Sequence, residues 1–226
     1  MTKQMQRDLD RLQALVLQMA GCVEGAVYRG VKALRERDGA LAREVLAGDN
    51  EIDALENAVQ EEALSILALH HPVAGDLRRI AAVLFISTDL ERMGDLASDI
   101  AERALALSVP PFFPIPEKLA PMAATTAAMV RQSLDAFVQT DAAAARGVVL
   151  LDDTVDAYHR QIIEAITAEM KRNVNHIEAG ISMFSAIRHL ERIADHATNI
   201  AEGVIYLVEG QIVRHHPEAR AMPSSN

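Results

Sequence analysis

The chain reads LERMGDLASDIAE at positions 90–102 and LERIADHATNIAE at 190–202, and eight of the thirteen positions are identical. Four more are like-for-like exchanges: Met93 for Ile193, Gly94 for Ala194, Ser98 for Thr198 and Asp99 for Asn199. The sequence upstream repeats as well. RDGALAREVLAGDNEIDALENAV from position 37 aligns with TDAAAARGVVLLDDTVDAYHRQI from position 140, so that Asp38, Arg43, Asp49 and Asp53 correspond to Asp141, Arg146, Asp152 and Asp156. The shift is 103 here and 100 in the acidic motif, and the difference falls in a turn, where insertions are tolerated. Self-similarity of this kind marks two copies of one structural unit.

The unit is helical. Half of the 226 residues are hydrophobic, only 4% are aromatic and tryptophan is absent, which suits helix-on-helix packing rather than sheets. Apolar side chains three and four apart at Leu9, Leu12, Leu15, Val16, Met19, Val23, Val27, Val31 and Leu34 predict a first helix over 3–36. Asp38-Gly39 ends it. Further helices are expected at about 39–69, 74–107, 117–138, 141–173 and 177–208, with Pro72 closing the second. SVPPFFPIP, residues 108–116, holds four prolines and must connect two helical halves. The expected organisation is all-α: a three-helix repeat over 1–108, a Pro-rich linker at 109–116, a second repeat over 117–210 and a frayed tail at 211–226. Short turns make neighbouring helices antiparallel, so each repeat is read as an antiparallel three-helix bundle large enough for its own core.

A net charge of −10 argues against nucleic acid or an acidic membrane surface as partner and favours cations. Cys22 is the single cysteine, so no intramolecular disulfide or cysteine-based metal site is available, and its apolar surroundings predict a small core side chain. The first residues lack the apolar region of a secretion signal, and the longest apolar run, IAAVLFI at 80–86, is far short of the ~20 residues of a membrane span. A cytoplasmic location without membrane insertion is the default expectation.

At ~100° per residue, Glu91, Asp95, Asp99 and Glu102 form one narrow stripe on a helix, and Glu191, Asp195, Asn199 and Glu202 repeat it. Like charges four apart oppose helix formation by a few tenths of a kcal/mol per pair, and a hard cation relieves that repulsion. A solvated acidic face, relieved by Arg92, Arg103 and Arg192, is the competing reading. Asp49, Asp53 and Glu56 share a stripe on the second helix, and Asp152, Asp156 and His159 share its counterpart. If second and third helices are neighbours, these side chains complete a multi-ligand cluster, and His159 tilts its copy toward Fe, Zn or Mn over Mg. His70 and His71 at a helix end are read as caps, His215 and His216 lie in the tail, His196 follows Asp195 but points another way on the wheel, and His176 and His189 have no evident partner.

Catalytic constellations are missing: there is no phosphate-binding glycine loop and no GxSxG elbow, and Asp156-x-x-His159 only approaches the paired Glu-x-x-His of di-iron bundles. HHPVAGDLRRIAAVLFISTDLERMGDLASDIAE closely resembles the signature of the PhoU family of phosphate-uptake regulators, a Pro-Val-Ala-x-Asp-Leu-Arg turn followed by an acidic helix, repeated less fully in the second half. The resemblance implies two three-helix bundles related by a pseudo-twofold axis, with iron or zinc at the acidic motifs. It implies Glu91, Asp95 and Asp99 as ligands in one copy and Glu191 and Asp195 in the other, with Asn199 departing from the acidic pattern. Asp49, Asp53, Asp152 and Asp156 are further candidates. It also implies a negative regulator of the phosphate-starvation response, a homodimeric adaptor between the ATPase subunit of a phosphate ABC transporter and a sensor histidine kinase. A carboxylate-bridged metal-dependent phosphatase, with two metals ~4 Å apart, and a metal buffer are the alternatives.

Overall fold

The structure, a computed structural model, describes residues 2–210 and consists of six α-helices: α1 Lys3–Glu36, α2 Gly39–His70, α3 Ala74–Leu107, α4 Leu119–Gln139, α5 Ala142–Arg172 and α6 Ile177–Glu209. A 3-10 turn, Val174–His176, leads into α6. The expected tail lies outside the described residues. Helix ends follow the expected breaks because the same local chemistry recurs in both copies. Asp38 accepts from the amides of Ala40 and Leu41, both at 3.0 Å, and Asp141 accepts from Ala143 and Ala144 at 2.9 and 3.0 Å. Each satisfies two N–H groups that the first turn of a helix leaves open. Arg37 and Thr140, one residue ahead of these caps, take the left-handed conformation that stops the preceding helix.

Helices α1 to α3 pack on one another as one bundle and α4 to α6 as another. The expected apolar face of α1 is buried, apart from Leu15, which is partly covered. Helices α1 and α3 approach closely at Gly30, where a Cβ would lie 3.1 Å from the Ala97 carbonyl oxygen. The most extensive contact in the molecule is between bundles, α3 against α6, and it makes the apolar core continuous through both. The two expected three-helix bundles are present, and this contact joins their cores. His189 faces Asp99 at 3.5 Å, and Asn199 Nδ2 donates to Asp89 Oδ1 at 3.3 Å. Those pairs exchange when the copies are exchanged, so α3 and α6 run antiparallel about a pseudo-twofold axis near Gly94 and Ala194.

The linker is fastened to both bundles. Phe113 is buried and meets the His176 ring edge-on at 5.8 Å, while Arg37 Nη2 donates to the Phe113 carbonyl at 2.9 Å. His176, without an evident partner in the sequence, also bonds Glu169 at 2.6 Å. Cys22 is only partly buried: it packs against the core edge beside Arg29 and Glu51. Burial, and after it Glu51, pushes its thiol above the ordinary range. His70 ties the end of α2 to α1 through Asp8 at 2.7 Å, and the residue in the left-handed stop is His71.

Candidate functional site

The antiparallel pairing of α2 with α3 brings the two acidic stripes of the first bundle together. Ser98 Oγ donates to Asp49 Oδ1 at 3.0 Å, and Thr88 Oγ1 donates to Glu56 at 3.4 Å, which sets the register. Burial raises Asp49 above the ordinary carboxylate range; the Ser98 bond opposes this, and Asp53, Asp95 and Asp99 add to it. Glu91 is raised likewise by burial, then by Asp95, with smaller contributions from Glu56 and Asp53. Asp49, Asp53, Glu91, Asp95 and Asp99 therefore share one electrostatic environment. Arg92 partly neutralises it, reaching Glu91 at 3.4 Å and Asp95 at 3.1 Å. Arg103 pairs with its neighbour Glu102 at 3.1 Å, on the exposed end of the stripe.

The second bundle repeats the arrangement with different compensation. His159, Phe184, Arg188, Glu191, Arg192 and Asp195 line an open hollow of about 470 Å³ between α5 and α6. Burial raises Glu191, and after it Asp156, with Asp152 contributing less. Burial in the crowded inter-helix space, followed by Glu191 and Asp156, pushes Asp195 up to about 6, although the residue stays at the exposed rim. His159 is held below its ordinary range, chiefly by burial, and is neutral at pH 7. Its Nε2 is buried without a hydrogen-bond partner. Glu202, the last member of the expected stripe, is buried and so differs from its exposed counterpart Glu102.

Among the described residues, no three His, Cys, Asp or Glu side chains converge closely enough to enclose a metal ion. The donor chemistry nevertheless fits one. Carboxylates of neighbouring helices act on one another in both bundles, and the second adds an imidazole nitrogen without a hydrogen-bond partner, a set of donor types that suits transition metals. Asp99 and Asn199 stand at the inter-bundle edge, engaged with α6 and α3 respectively. The sequence reading missed that edge. Asp89 accepts from Asn199 and also meets His196 Nδ1 at 2.8 Å, and His189 meets Ser185 at 3.0 Å. The ten-residue spacing of 89 with 99 and of 189 with 199 was visible, but spacing within helices carries no register between them.

Burial, and after it the repulsion among its carboxylates, makes the second hollow a place where charge opposes folding. A carboxyl group whose pKa is raised in the folded state binds protons more tightly there than in the unfolded chain. Stability therefore falls as pH rises from the ordinary 3.8 of Asp195 through about 6. Asp195→Asn is expected to stabilise the metal-free protein at pH 7 by about 1 kcal/mol, after discounting for solvent screening, and to leave it unchanged below the ordinary aspartate range. Urea unfolding at neutral and acidic pH checks this; equal or lower stability of the variant at pH 7 would refute it.

Such a fold and site define a duplicated helical-bundle protein with a carboxylate cluster in each copy and an open hollow beside the second. The PhoU domain model matches residues 16–104 and 119–204, one match in each bundle. The chain belongs to the PhoU family. It is 37% identical to a phosphate-specific transport system accessory protein PhoU homolog of Pseudomonas aeruginosa, over 95% of this chain and 89% of that protein. An Aquifex aeolicus homolog of the same description is 38% identical over 92% of this chain and 95% of its own length. The crystal structure of PhoU from Pseudomonas aeruginosa superposes with a TM-score of 0.88 at 37% identity, covering 91% of this chain and 99% of that one. The phosphate transport system regulatory protein PhoU from Streptococcus pneumoniae superposes with a TM-score of 0.86 at 28% identity, covering 92% and 99%.

Proposed function

We propose that this protein is an accessory regulator of phosphate uptake, a cytoplasmic adaptor that holds the phosphate-starvation response off by coupling a phosphate ABC transporter to a sensor histidine kinase. The observation that carries this reading is the similarity of both bundles, over nearly the whole chain, to phosphate-specific transport accessory proteins. No helix among the described residues is long and apolar enough to cross a membrane, so an adaptor must reach the transporter through docking. Deleting the gene should switch on the kinase-controlled genes in phosphate-rich medium; unchanged expression would sink the adaptor reading.

A metal ion at the acidic stripes would add positive charge beyond that of Arg92 at the first and Arg188 and Arg192 at the second. Asp49, Asp53, Glu91 and Asp95 would hold it in the first bundle, and Asp152, Asp156, His159, Glu191 and Asp195 in the second. Without it, Arg92 pairs with Glu91 and Asp95 at the first site, and Arg188 and Arg192 partly offset Glu191 and Asp195 at the second from a greater distance. Chelator-stripped protein reloaded separately with Fe, Zn, Mn or Mg is expected to retain more than one ion per chain by elemental analysis. Glu91→Ala with Asp95→Ala should remove one share and Glu191→Ala with Asp195→Ala the other. Unchanged retention in both variants would leave the stripes as solvated or docking faces. A phosphatase activity abolished by Asp95→Ala would instead move the assignment to an enzyme.

A further inference from the structure

Around the second hollow the repeat departs from its first copy in one direction. Glu56 is matched by His159, Asn57 by Arg160 and Thr88 by Arg188, each exchange more positive, while two differences earlier on α5, Asp153 for Asn50 and Thr154 for Glu51, offset each other. Arg188 and Arg192 line the hollow together with His159, Glu191 and Asp195. His159, held below its ordinary range first by burial, also feels Arg188 and Arg160. The counterpart of Arg192 in the first copy, Arg92, is instead drawn against Glu91 and Asp95.

This divergence changes what a cation does to each site. In the second copy, Asp152, Asp156, Glu191 and Asp195 are set against Arg160, Arg188 and Arg192, so the local balance is only slightly negative. In the first, Asp49, Asp53, Glu56, Glu91, Asp95 and Asp99 are set against the direct pairs of Arg92. One divalent cation therefore reverses the sign of the second set and leaves the first strongly negative. Carboxylates engaged by a cation no longer offset the guanidiniums beside them, and a planar guanidinium fork matches two oxygens of a tetrahedral oxyanion. The hollow, open and about 470 Å³, has room for such an ion.

We infer that the second hollow, when a divalent cation engages its carboxylates, binds a doubly charged tetrahedral oxyanion of the phosphate class through Arg188 and Arg192, with Arg160 adding to the field, and that the first cluster does not. The inference rests on the metal reading proposed above and adds a ligand to one of its two sites. It makes the duplicated copies unequal in role: both take a cation, and one of them couples that cation to an anion. The coupling is reciprocal, so the oxyanion must tighten retention of the cation in the second copy by the same factor as the cation tightens the oxyanion.

Equilibrium dialysis of radiolabelled inorganic phosphate against the full-length protein, manganese-loaded or chelator-stripped, tests the site, with bound manganese counted by elemental analysis in the same samples. Loaded wild type is expected to bind phosphate at least about tenfold more tightly than stripped protein. Arg188→Gln with Arg192→Gln should lose that gain while still retaining manganese, and Arg92→Gln, the corresponding change in the first copy, should keep it. Competition by sulfate would show that charge and shape alone are read, and a failure of sulfate to compete would add a role for the proton that phosphate keeps; both uphold an oxyanion site. A wild type that retains no manganese overturns the metal reading and this inference with it. Manganese retained without tighter phosphate binding, or a gain that survives loss of both arginines, overturns the oxyanion site while the metal reading stands.

Discussion

Gly94→Val is expected to lower the unfolding free energy by about 3 kcal/mol, the upper part of the range for overpacking a core. Gly94 sits in the acidic motif of α3, and a Cβ there would stand 3.0 Å from Ile52 Cδ1 and 3.1 Å from its Cγ2. Ile52 is buried on α2 and β-branched, so its side chain has little freedom to withdraw. The valine methyls therefore push α2 from α3 and disturb the register that brings Asp49 beside the α3 carboxylates. The second copy shows the compatible alternative: positions equivalent to Gly94 and Ile52 are Ala194 and Val155, one methyl more on one side and one methylene less on the other. Gly94→Ala alone should cost less than the valine change, because alanine recovers up to ~1 kcal/mol of helix propensity. Pairing it with Ile52→Val should return stability to wild type or above. Equilibrium urea unfolding of the two single variants and the double gives the coupling energy, and simple additivity would contradict direct contact as the cause.

Arg146→Ala should cost about 2–3 kcal/mol. Arg146 in the first turns of α5 donates to both carboxylate oxygens of Glu209 in the last turn of α6, at 2.6 and 2.8 Å, with side chains only 16% and 9% exposed. The pair clips the two helix ends together. Its planar, two-bond geometry is the strong form of ion pair, and the arginine also offsets a negative charge placed at the unfavourable end of a helix. Truncation leaves Glu209 largely covered and unpaired. The hydrogen bonds from Arg146 hold Glu209 below its ordinary range, so the stabilisation is complete above the ordinary 4.5 and fades as pH falls through the lowered value. Wild type and Arg146→Ala should differ by the full amount at pH 7 and converge in acid. A difference independent of pH would assign the loss to packing rather than to the carboxylate. The equivalent arginine of the first copy, Arg43, bonds only the Gly39 carbonyl at 3.2 Å, so Arg43→Ala serves as a control with a much smaller effect.

Several side chains show where reading the sequence sufficed. The caps at Asp38 and Asp141, the six helices and the duplication follow from local chemistry and apolar period, which act over a few residues and are written directly in the chain. The pairing of Asp49 with the α3 stripe was legible for a related reason, since a short turn obliges α2 and α3 to lie side by side. Linear spacing misled at Glu202, which the helical wheel places with Glu102 but the second bundle buries. It was silent on the pairing of His189 with Asp99 and of His196 with Asp89, because those pairs form across the two copies.

By itself, the sequence determined an all-α duplicated chain, the face each helix buries and the residue types gathered on its acidic stripes, because helix period and turn chemistry are local. Only the tertiary structure decided that the two bundles share one core through α3 and α6, that Arg92 pairs directly with Glu91 and Asp95 while Arg188 and Arg192 line the hollow beside Glu191 and Asp195, and that Glu202 is buried where Glu102 is exposed. Those outcomes depend on which helix faces meet and in what register, and that is set by the summed packing of side chains far apart in the chain.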